Sequence, residues 1–183
     1  MYQTRAVQVV GVAVVVLIVG SASVGAAYAQ SVAFNASGVS SIGGATGAAS
    51  LSIGPTFDVQ NAAGITITSL GVFDAGSDGL SEAHPATLFL LNASGNAAIV
   101  ETAVGSTTIV SGTGTPTGGS GSFGTFRFAT LTSPIFLAQG SHAAVIAYRL
   151  SDPSAGPVVD RYADGFGVNP AGDFTWTGFD ACL

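Results

Sequence analysis

The sequence predicts an all-β fold, an antiparallel β-sandwich of the jelly-roll or immunoglobulin-like kind, preceded by a cleavable signal peptide. Short apolar runs alternate with polar residues at the period of two that a half-buried strand requires. Turn-forming residues separate these runs, and glycine alone accounts for 26 of the 183 residues. Beyond residue 29, no stretch of ten residues shows the 3.6-residue periodicity of an amphipathic helix. Many short strands joined by such turns are typical of a sandwich.

The candidate strands follow from this alternation and from the turn residues between them. In chain order they span 51–59, 65–73, 86–92, 97–104, 107–111, 123–131, 135–137, 143–150 and 173–177. The turn Asn92-Ala-Ser-Gly95 between two apolar runs predicts a hairpin over 86–104. The Gly, Thr and Ser-rich segment 112–124 predicts an exposed loop. In the strand 143–150, the residues expected to face inward are Ala144, Ile146, Tyr148 and Leu150.

Residues 1–29 have the three parts of a secretory signal peptide. Arg5 provides the positive charge, residues 6–20 form a short apolar run, and Ala27-Tyr28-Ala29 is a small-residue cleavage site. The apolar run is shorter than the roughly 20 residues that span a bilayer. Residues 30–50, rich in Gly, Ala and Ser, are expected to form an N-terminal arm or a weak first strand, and 51–183 the β-sandwich domain. The mature chain is therefore expected to be secreted or held at the cell surface.

The composition excludes several classes of function. The chain has no Lys, four Arg and ten carboxylates, a net charge of −6. So few basic side chains cannot form the cationic surface of a nucleic-acid-binding protein, and lysine-based catalysis is excluded. Charged residues make up 8% of the chain, against about 25% in an average soluble domain. With 48% hydrophobic residues, however, the chain is too apolar to be a disordered acidic segment.

Two stretches of the domain resemble the exported β-sandwich domains of bacterial surface proteins of the PEP-CTERM, exosortase-associated kind. The first is Phe57-Asp-Val-Gln, then residues 65–74 and Gly76-Ser-Asp-Gly-Leu80 followed by His84. The second is residues 126–140, with a strand, a Ser-Pro step, another strand and a Leu-Ala-Gln-Gly turn. This resemblance implies an extracellular or surface β-sandwich connected with biofilm matrix or envelope sorting, without a catalytic site.

The resemblance does not extend to the C-terminal sorting tail. PEP-CTERM proteins end in Pro-Glu-Pro, an apolar helix and a basic tail, whereas this sequence ends in Phe179-Asp-Ala-Cys-Leu183. Exosortase sorting is therefore not expected for the sequence as it stands. The protein is either released or a fragment of a longer chain that carries the tail.

An acidic loop provides the candidate metal site. Asp74, Asp78 and Glu82 occupy positions 1, 5 and 9 of a loop with glycine at position 6, which resembles a calcium-binding loop. Position 12 is Pro85, so the bidentate glutamate of an EF-hand is missing. The alternative is a solvated acidic loop without an ion. Calcium is the only cofactor for which the sequence offers a candidate site.

Three aromatic residues near the C-terminus form a candidate platform for carbohydrate, because flat rings stack on sugars. They are Tyr162, Phe166 and Trp176.

Cys182 is the only cysteine. In an exported protein an odd cysteine indicates an intermolecular disulfide, the loss of the cysteine with which it would pair, or an inert thiol. No nucleophile elbow or metal-type histidine spacing is present, so the sequence predicts no catalytic residues.

These observations favour a non-enzymatic, exported surface or matrix protein that acts in adhesion, in the biofilm matrix or in assembly. One alternative is a polysaccharide-binding module, with or without the assistance of Ca²⁺. Another is a filament subunit that donates residues 31–50 as a strand to a neighbour. The expected partners are other copies of the chain, extracellular polysaccharide or surface proteins, and no nucleic acid or membrane span after cleavage.

Overall fold

A computed structural model describes residues 52–92, 101–148 and 173–182, together with short strands at 16–18, 34–35, 41–43, 162–164 and 167–168. These residues form an all-β structure with two antiparallel sheets of five and four strands, consistent with a β-sandwich. At this level the predicted fold class is confirmed. In the parts of the chain so described, no helix has the length and apolar character needed to cross a membrane.

The described strands are β1 (Val16–Ile18), β2 (Phe34–Asn35), β3 (Ser41–Gly43), β4 (Ser52–Val59), β5 (Ile65–Ala75), β6 (His84–Leu91), β7 (Glu101–Ile109), β8 (Thr117–Gly121), β9 (Gly124–Leu137), β10 (His142–Tyr148), β11 (Tyr162–Asp164), β12 (Gly167–Val168) and β13 (Phe174–Cys182). The five-stranded sheet has the order β13-β4-β10-β6-β7, and the four-stranded sheet has the order β1-β5-β9-β8. Two further antiparallel pairs are formed by β11 with β3 and by β12 with β2.

The predicted pairing of the two hairpin strands is confirmed, because β6 pairs with β7 in antiparallel register from His84 opposite Ile109 to Leu91 opposite Glu101. Residues 93–95 of the predicted turn lie outside the described residues. The predicted strands 97–104 and 107–111 merge into the single strand β7, and those at 123–131 and 135–137 merge into β9. The prediction of a loop over 112–124 is wrong in part, since β8 lies within it and pairs with β9. Its composition is that of a turn, but a short strand at the edge of a sheet tolerates glycine.

The core lies between the two sheets. Its buried members on the four-stranded sheet are Ile65, Ile67, Leu70, Val72, Leu131 and Leu137; on the five-stranded sheet they are Phe57, Val59, Ala86, Leu88, Ile109, Ala143, Val145, Ala147 and Phe174. Burying one large apolar side chain contributes roughly 1.5–3 kcal/mol. The switch from odd to even core positions along β5 coincides with a bulge between Ile67 and Ser69.

Strand β10 contributes Ala143, Val145 and Ala147 to the core cluster. Of the row predicted to face inward, Ala144 is also buried, on the other face of the strand, and the side chains of Ile146, Tyr148 and Leu150 lie outside the described residues. The pairing register places Ala143 between Phe57 and Leu90 of the neighbouring strands. A small residue there leaves room for its two large neighbours. Alternation therefore predicts two faces, while the neighbouring strands decide which of them joins the core cluster.

Phe73, Phe126 and Phe128 form a second apolar cluster, on the four-stranded sheet but outside the core cluster. Phe73 pairs with Phe126 edge to face at 5.5 Å, and Phe126 stacks on Phe128 at 6.3 Å between ring centroids. Phe73 follows Val72 of the core, so the cluster lies on the opposite face of the sheet. Gly71, which lies opposite Phe128 on the neighbouring strand, makes room for its ring.

The strands run between two ends of the domain, which are referred to below as the first and second ends. The first end contains the turns around Asn61 and Gly140, together with Asp173, whose carbonyl accepts the Gln60 and Asn61 N–H groups. The second end contains the turn 76–83, the segment 110–116 and the turn between β8 and β9. Leu80 and Gly112 join two of these segments through a β-bridge.

The predicted signal peptide lies outside the described residues except for β1, whose backbone pairs with β5. In the predicted N-terminal arm, only β2 and β3 are described. They pair with β12 and β11 of the same chain. Strand β11 also contacts β5, and β2 contacts β8, so both short pairs adjoin the four-stranded sheet.

Candidate functional site

The first residue of the candidate calcium loop, Asp74, is a partner of Arg127 at the second end. The Nε of Arg127 donates a hydrogen bond to Oδ2 of Asp74 over 2.6 Å, and both side chains are at most 4% exposed. The Nη1 of Arg127 donates to the Thr113 carbonyl at 3.0 Å. The Gly79 N–H in turn donates to the Asp74 carboxylate, at 3.1 Å from Oδ2. Asp74 and Arg127 therefore join β5, β9, the turn 76–79 and the segment around Thr113.

The register of β5 and β9 explains why these two charges meet. Val72 lies directly opposite Arg127, and Asp74, two residues further along the same face, is the diagonal neighbour that a long side chain can reach. The turn that follows has positive φ angles at Gly76 (85°), Ser77 (61°) and Gly79 (109°). Glycine avoids the steric cost of this conformation at two of the three positions. The turn thereby directs the Gly79 N–H back onto the carboxylate.

The three predicted calcium ligands do not converge. Asp78 is exposed and Glu82 is half-buried, whereas Asp74 is 2% exposed and bound to Arg127. Within 52–92, 101–148 and 173–182, no group of three His, Cys, Asp or Glu side chains is placed to hold a metal ion. Calcium binding stays a prediction, and the geometry assigns Asp74 a structural role in fixing the loops of the second end.

Trp176 is the member of the candidate carbohydrate platform whose side chain is described. It lies on β13, opposite Phe57 of β4, and 43% of it is exposed. Phe174, two residues earlier on the same face, is buried and packs edge to face against Phe57 at 5.9 Å between ring centroids. The Trp176 Nε1–H donates to the Gly178 carbonyl at 2.7 Å, across a bulge in β13. One edge of the indole is thus fixed while a large part of the ring meets solvent.

The other predicted site residues are only partly covered by the structure. Tyr162 lies on β11 opposite Gly43, on a strand that contacts the four-stranded sheet, whereas Trp176 lies in the five-stranded sheet. Phe166 lies outside the described residues. Cys182 ends β13 opposite Ser52. The sugar platform and the intermolecular disulfide both stay predictions.

A histidine–aspartate pair at the first end was not predicted from the sequence. The Nδ1 of His142 on β10 lies 2.8 Å from Oδ1 of Asp58 on β4, with the two side chains 34% and 18% exposed. The residues are directly opposite each other in the sheet, although 84 positions separate them in the chain. The signal that identifies them is the β4–β10 register, which the sequence pattern does not contain.

No family model, curated protein or solved structure matches this chain. Of the predicted resemblance, the structure supports one part, an all-β domain with two sheets. Any conclusion about function therefore depends on the arrangement of the residues.

Large apolar side chains are exposed at both ends of the domain. Phe136, 62% exposed, and Trp176 lie towards the first end, while Val110 and Phe123 lie at the second.

Proposed function

We propose that this protein is a non-enzymatic, exported β-sandwich of the jelly-roll or immunoglobulin-like kind, which acts at the cell surface or in the extracellular matrix through adhesion or assembly. The observation that carries the proposal is the exposure of large apolar side chains on strands of the two sheets. Phe136 on β9 is 62% exposed and Trp176 on β13 is 43% exposed. Apolar side chains that a fold presents to solvent supply contact area for a partner.

The surface chemistry supports the same function. Exposed positions on the strands are often Thr or Ser, as at Thr102, Ser106, Thr108, Thr132 and Thr175. Hydroxyl groups can donate and accept hydrogen bonds without a charge. Contacts made in this way depend little on salt, because screening acts on charges. Such a surface suits a matrix or cell-wall environment in which ionic strength varies.

The test of this proposal is the location of the protein and its effect on attachment. We expect the chain in the medium or on the surface of the producing cells, with a new N-terminus at Gln30. Purified protein added to cells that lack it should restore attachment, and the double variant Phe136→Ala with Trp176→Ala should not. Ser122→Ala, an exposed turn residue, is the matched control. Retention in the cytoplasm with an intact N-terminus, or attachment unaffected by the double variant, contradicts the proposal.

A second candidate function, polysaccharide binding, is favoured by the hydrogen bond that fixes Trp176. An indole held by its Nε1–H keeps its orientation in the absence of ligand, so less side-chain entropy is lost on binding. Stacking of a sugar on the exposed ring then needs no rearrangement of the strand. This candidate depends on Trp176 alone, whereas general adhesion would also use Phe136.

A further inference from the structure

The dipeptide Asp78-Gly79 is a chemically reactive step of the chain, and it lies in the turn at the second end of the domain. An aspartate followed by glycine is prone to cyclisation, because glycine has no side chain to hinder attack by its own backbone nitrogen on the aspartate carboxyl group. The chain contains this dipeptide twice, at 78–79 and at 164–165. The Asp78 side chain is exposed, so water has access to it.

The reaction at this step is an isomerisation through a cyclic succinimide. A bond forms between the Gly79 nitrogen and Cγ of Asp78, the nitrogen loses its hydrogen, and one carboxyl oxygen of Asp78 leaves as water. A second water molecule then opens the ring. Opening at Cγ restores aspartate, whereas opening at the main-chain carbonyl of Asp78 gives isoaspartate, in which the chain continues through the side-chain carbon. Atoms balance with water alone, and no oxidant or reductant is needed.

The nitrogen that would attack is already bound in the folded protein. The Gly79 N–H donates to both oxygens of the Asp74 carboxylate, at 3.3 Å from Oδ1 and 3.1 Å from Oδ2. Asp74 is 2% exposed and is held in place by the Nε of Arg127. The nitrogen of a succinimide carries no hydrogen, so ring closure abolishes both hydrogen bonds to Asp74. Bonds to a charged acceptor are among the stronger hydrogen bonds in proteins, and their loss opposes the reaction.

The chain that follows Gly79 is anchored as well. Leu80 is 3% exposed and forms a β-bridge with Gly112, whose N–H donates to the Leu80 carbonyl at 2.7 Å. A Cβ atom on Gly79 would lie 3.0 Å from Cγ2 of Thr113 and 3.0 Å from the carbonyl carbon of Gly112. The backbone at Gly79 is therefore enclosed on one side by the segment around Gly112, and ring closure requires this part of the turn to open.

We propose that Asp78 is a site of spontaneous isomerisation and that Asp74 protects it by holding the Gly79 nitrogen. The reaction proceeds from the molecules in which the turn has opened, because local opening at a surface turn costs less free energy than global unfolding. Isoaspartate lengthens the main chain by one carbon atom, which displaces the Gly79 N–H from Asp74. A turn modified in this way is expected to stay open, so the change is recorded permanently in the loops of the second end.

The first experiment compares the rate at Asp78 in the folded and the unfolded chain. The purified full chain is incubated at neutral pH with and without concentrated urea, and chymotryptic peptides are separated and identified by mass spectrometry. Isoaspartate at residue 78 should form at least about tenfold more slowly without urea, which corresponds to an opening free energy of about 1.4 kcal/mol or more. Asp78→Glu should give no such product. Equal rates in the two conditions, or the same product from Asp78→Glu, overturn the proposal.

The second experiment tests the role of Asp74. Asp74→Asn replaces the carboxylate by a weaker, neutral acceptor and should raise the rate at Asp78 severalfold, whereas Ser122→Ala, on an exposed turn of the same end, should react as the parent does. Circular dichroism establishes that each variant is folded under the incubation conditions. A folded Asp74→Asn protein that reacts at the parent rate, or more slowly because the carboxylate served as a base, overturns the proposal.

A second variant loosens the turn without touching the ion pair of Asp74 and Arg127. Gly112 has a φ of 84°, and a Cβ atom there would meet nothing within 4 Å, so Gly112→Ala strains the backbone of the β-bridge without a steric overlap. Isoaspartate at residue 78 should then form faster than in the parent protein. Gly114→Ala, where a Cβ atom also meets nothing within 4 Å, is the matched control. Equal rates for Gly112→Ala and Gly114→Ala contradict control by the turn.

Discussion

Arg127 on β9 and Asp74 on β5 form an ion pair that is almost fully removed from solvent, with Nε and Oδ2 2.6 Å apart. The sequence pattern indicated a metal ligand at Asp74, yet the charge that balances it comes from a side chain 53 positions away. A buried charge needs a partner, because the free-energy cost of desolvation is high. Asp74 and Arg127 can both be buried because each supplies the opposite charge that the other needs.

Removal of one partner of this pair should be strongly destabilising. Asp74→Ala leaves the Arg127 guanidinium buried without its counter-charge, and a loss of about 3–5 kcal/mol in unfolding free energy is expected. The double variant Asp74→Leu with Arg127→Leu should lose less unfolding free energy than the sum of the losses of the single variants Asp74→Leu and Arg127→Leu. Urea unfolding of these three variants and of the parent protein measures this coupling. Additive losses would show that the two side chains do not act as a pair.

Calcium should have little effect on stability, since the Asp74 carboxylate already binds Arg127 and Gly79. We expect the same melting temperature in EDTA and in excess CaCl₂. An ion that binds the native state must raise the melting temperature. A rise that Asp78→Asn abolishes would overturn the structural role assigned to the loop and restore the calcium site. Ser122→Asn, on another exposed turn, serves as the control.

Gly71 should be intolerant of a side chain. A Cβ atom there would overlap the ring of Phe128 and lie 2.8 Å from the Arg127 carbonyl oxygen. Overpacking of this kind costs about 1–3 kcal/mol, so Gly71→Ala should lower the unfolding free energy by that amount. Gly114→Ala is the matched control, because a Cβ atom at Gly114 would meet nothing within 4 Å. Equal stability of the two variants would contradict the packing of Phe128 over Gly71.

Replacement of two threonines by valine should change the stability of the protein in opposite directions. The Thr68 hydroxyl is buried and has no hydrogen-bond partner in the part of the chain that the structure describes. Thr68→Val removes this unsatisfied group and should stabilise the protein by about 1 kcal/mol. Thr107→Val instead removes the hydrogen bond to the Thr130 carbonyl and should destabilise it. Thermal unfolding of both variants shows whether the melting temperature rises or falls. A lower melting temperature for Thr68→Val would refute the prediction for Thr68.

Trp176 should matter for binding more than for folding. Its ring is 43% exposed, so Trp176→Ala is expected to change the melting temperature little while abolishing retention in gels that contain xylan, β-glucan or the polysaccharide of the producing cells. Trp176→Phe keeps an aromatic face and should retain part of the binding. Phe136→Ala, at an exposed ring in the other sheet, is the control. Unchanged retention of Trp176→Ala would eliminate the polysaccharide platform.

Local patterns in the sequence predicted the strands and the β6–β7 hairpin, because alternation and turn residues act over short distances. They could not identify which face of β10 joins the core cluster, because that depends on Phe57 and Leu90 in other strands.

The candidate site was harder to predict than the strands. The partners of Asp74 and of His142 lie on strands far away in the chain, and only the register brings them together. Strand β8 was not predicted because its sequence is rich in glycine, and a short strand at the edge of a sheet can form without bulky side chains. Composition did indicate a surface poor in charge, since only 8% of the residues are charged.

The position of β4 has a consequence for how the protein is made. Its two neighbours, β10 and β13, both follow it by more than 80 residues, and the last rung with β13 pairs Ser52 with Cys182. Pairing between such distant segments is slow, because a long loop must close before any contact forms. The five-stranded sheet cannot be completed until nearly the whole chain has been synthesised. In a chain that is exported, as proposed above, such late completion would leave the sheet unformed while the chain crosses the membrane.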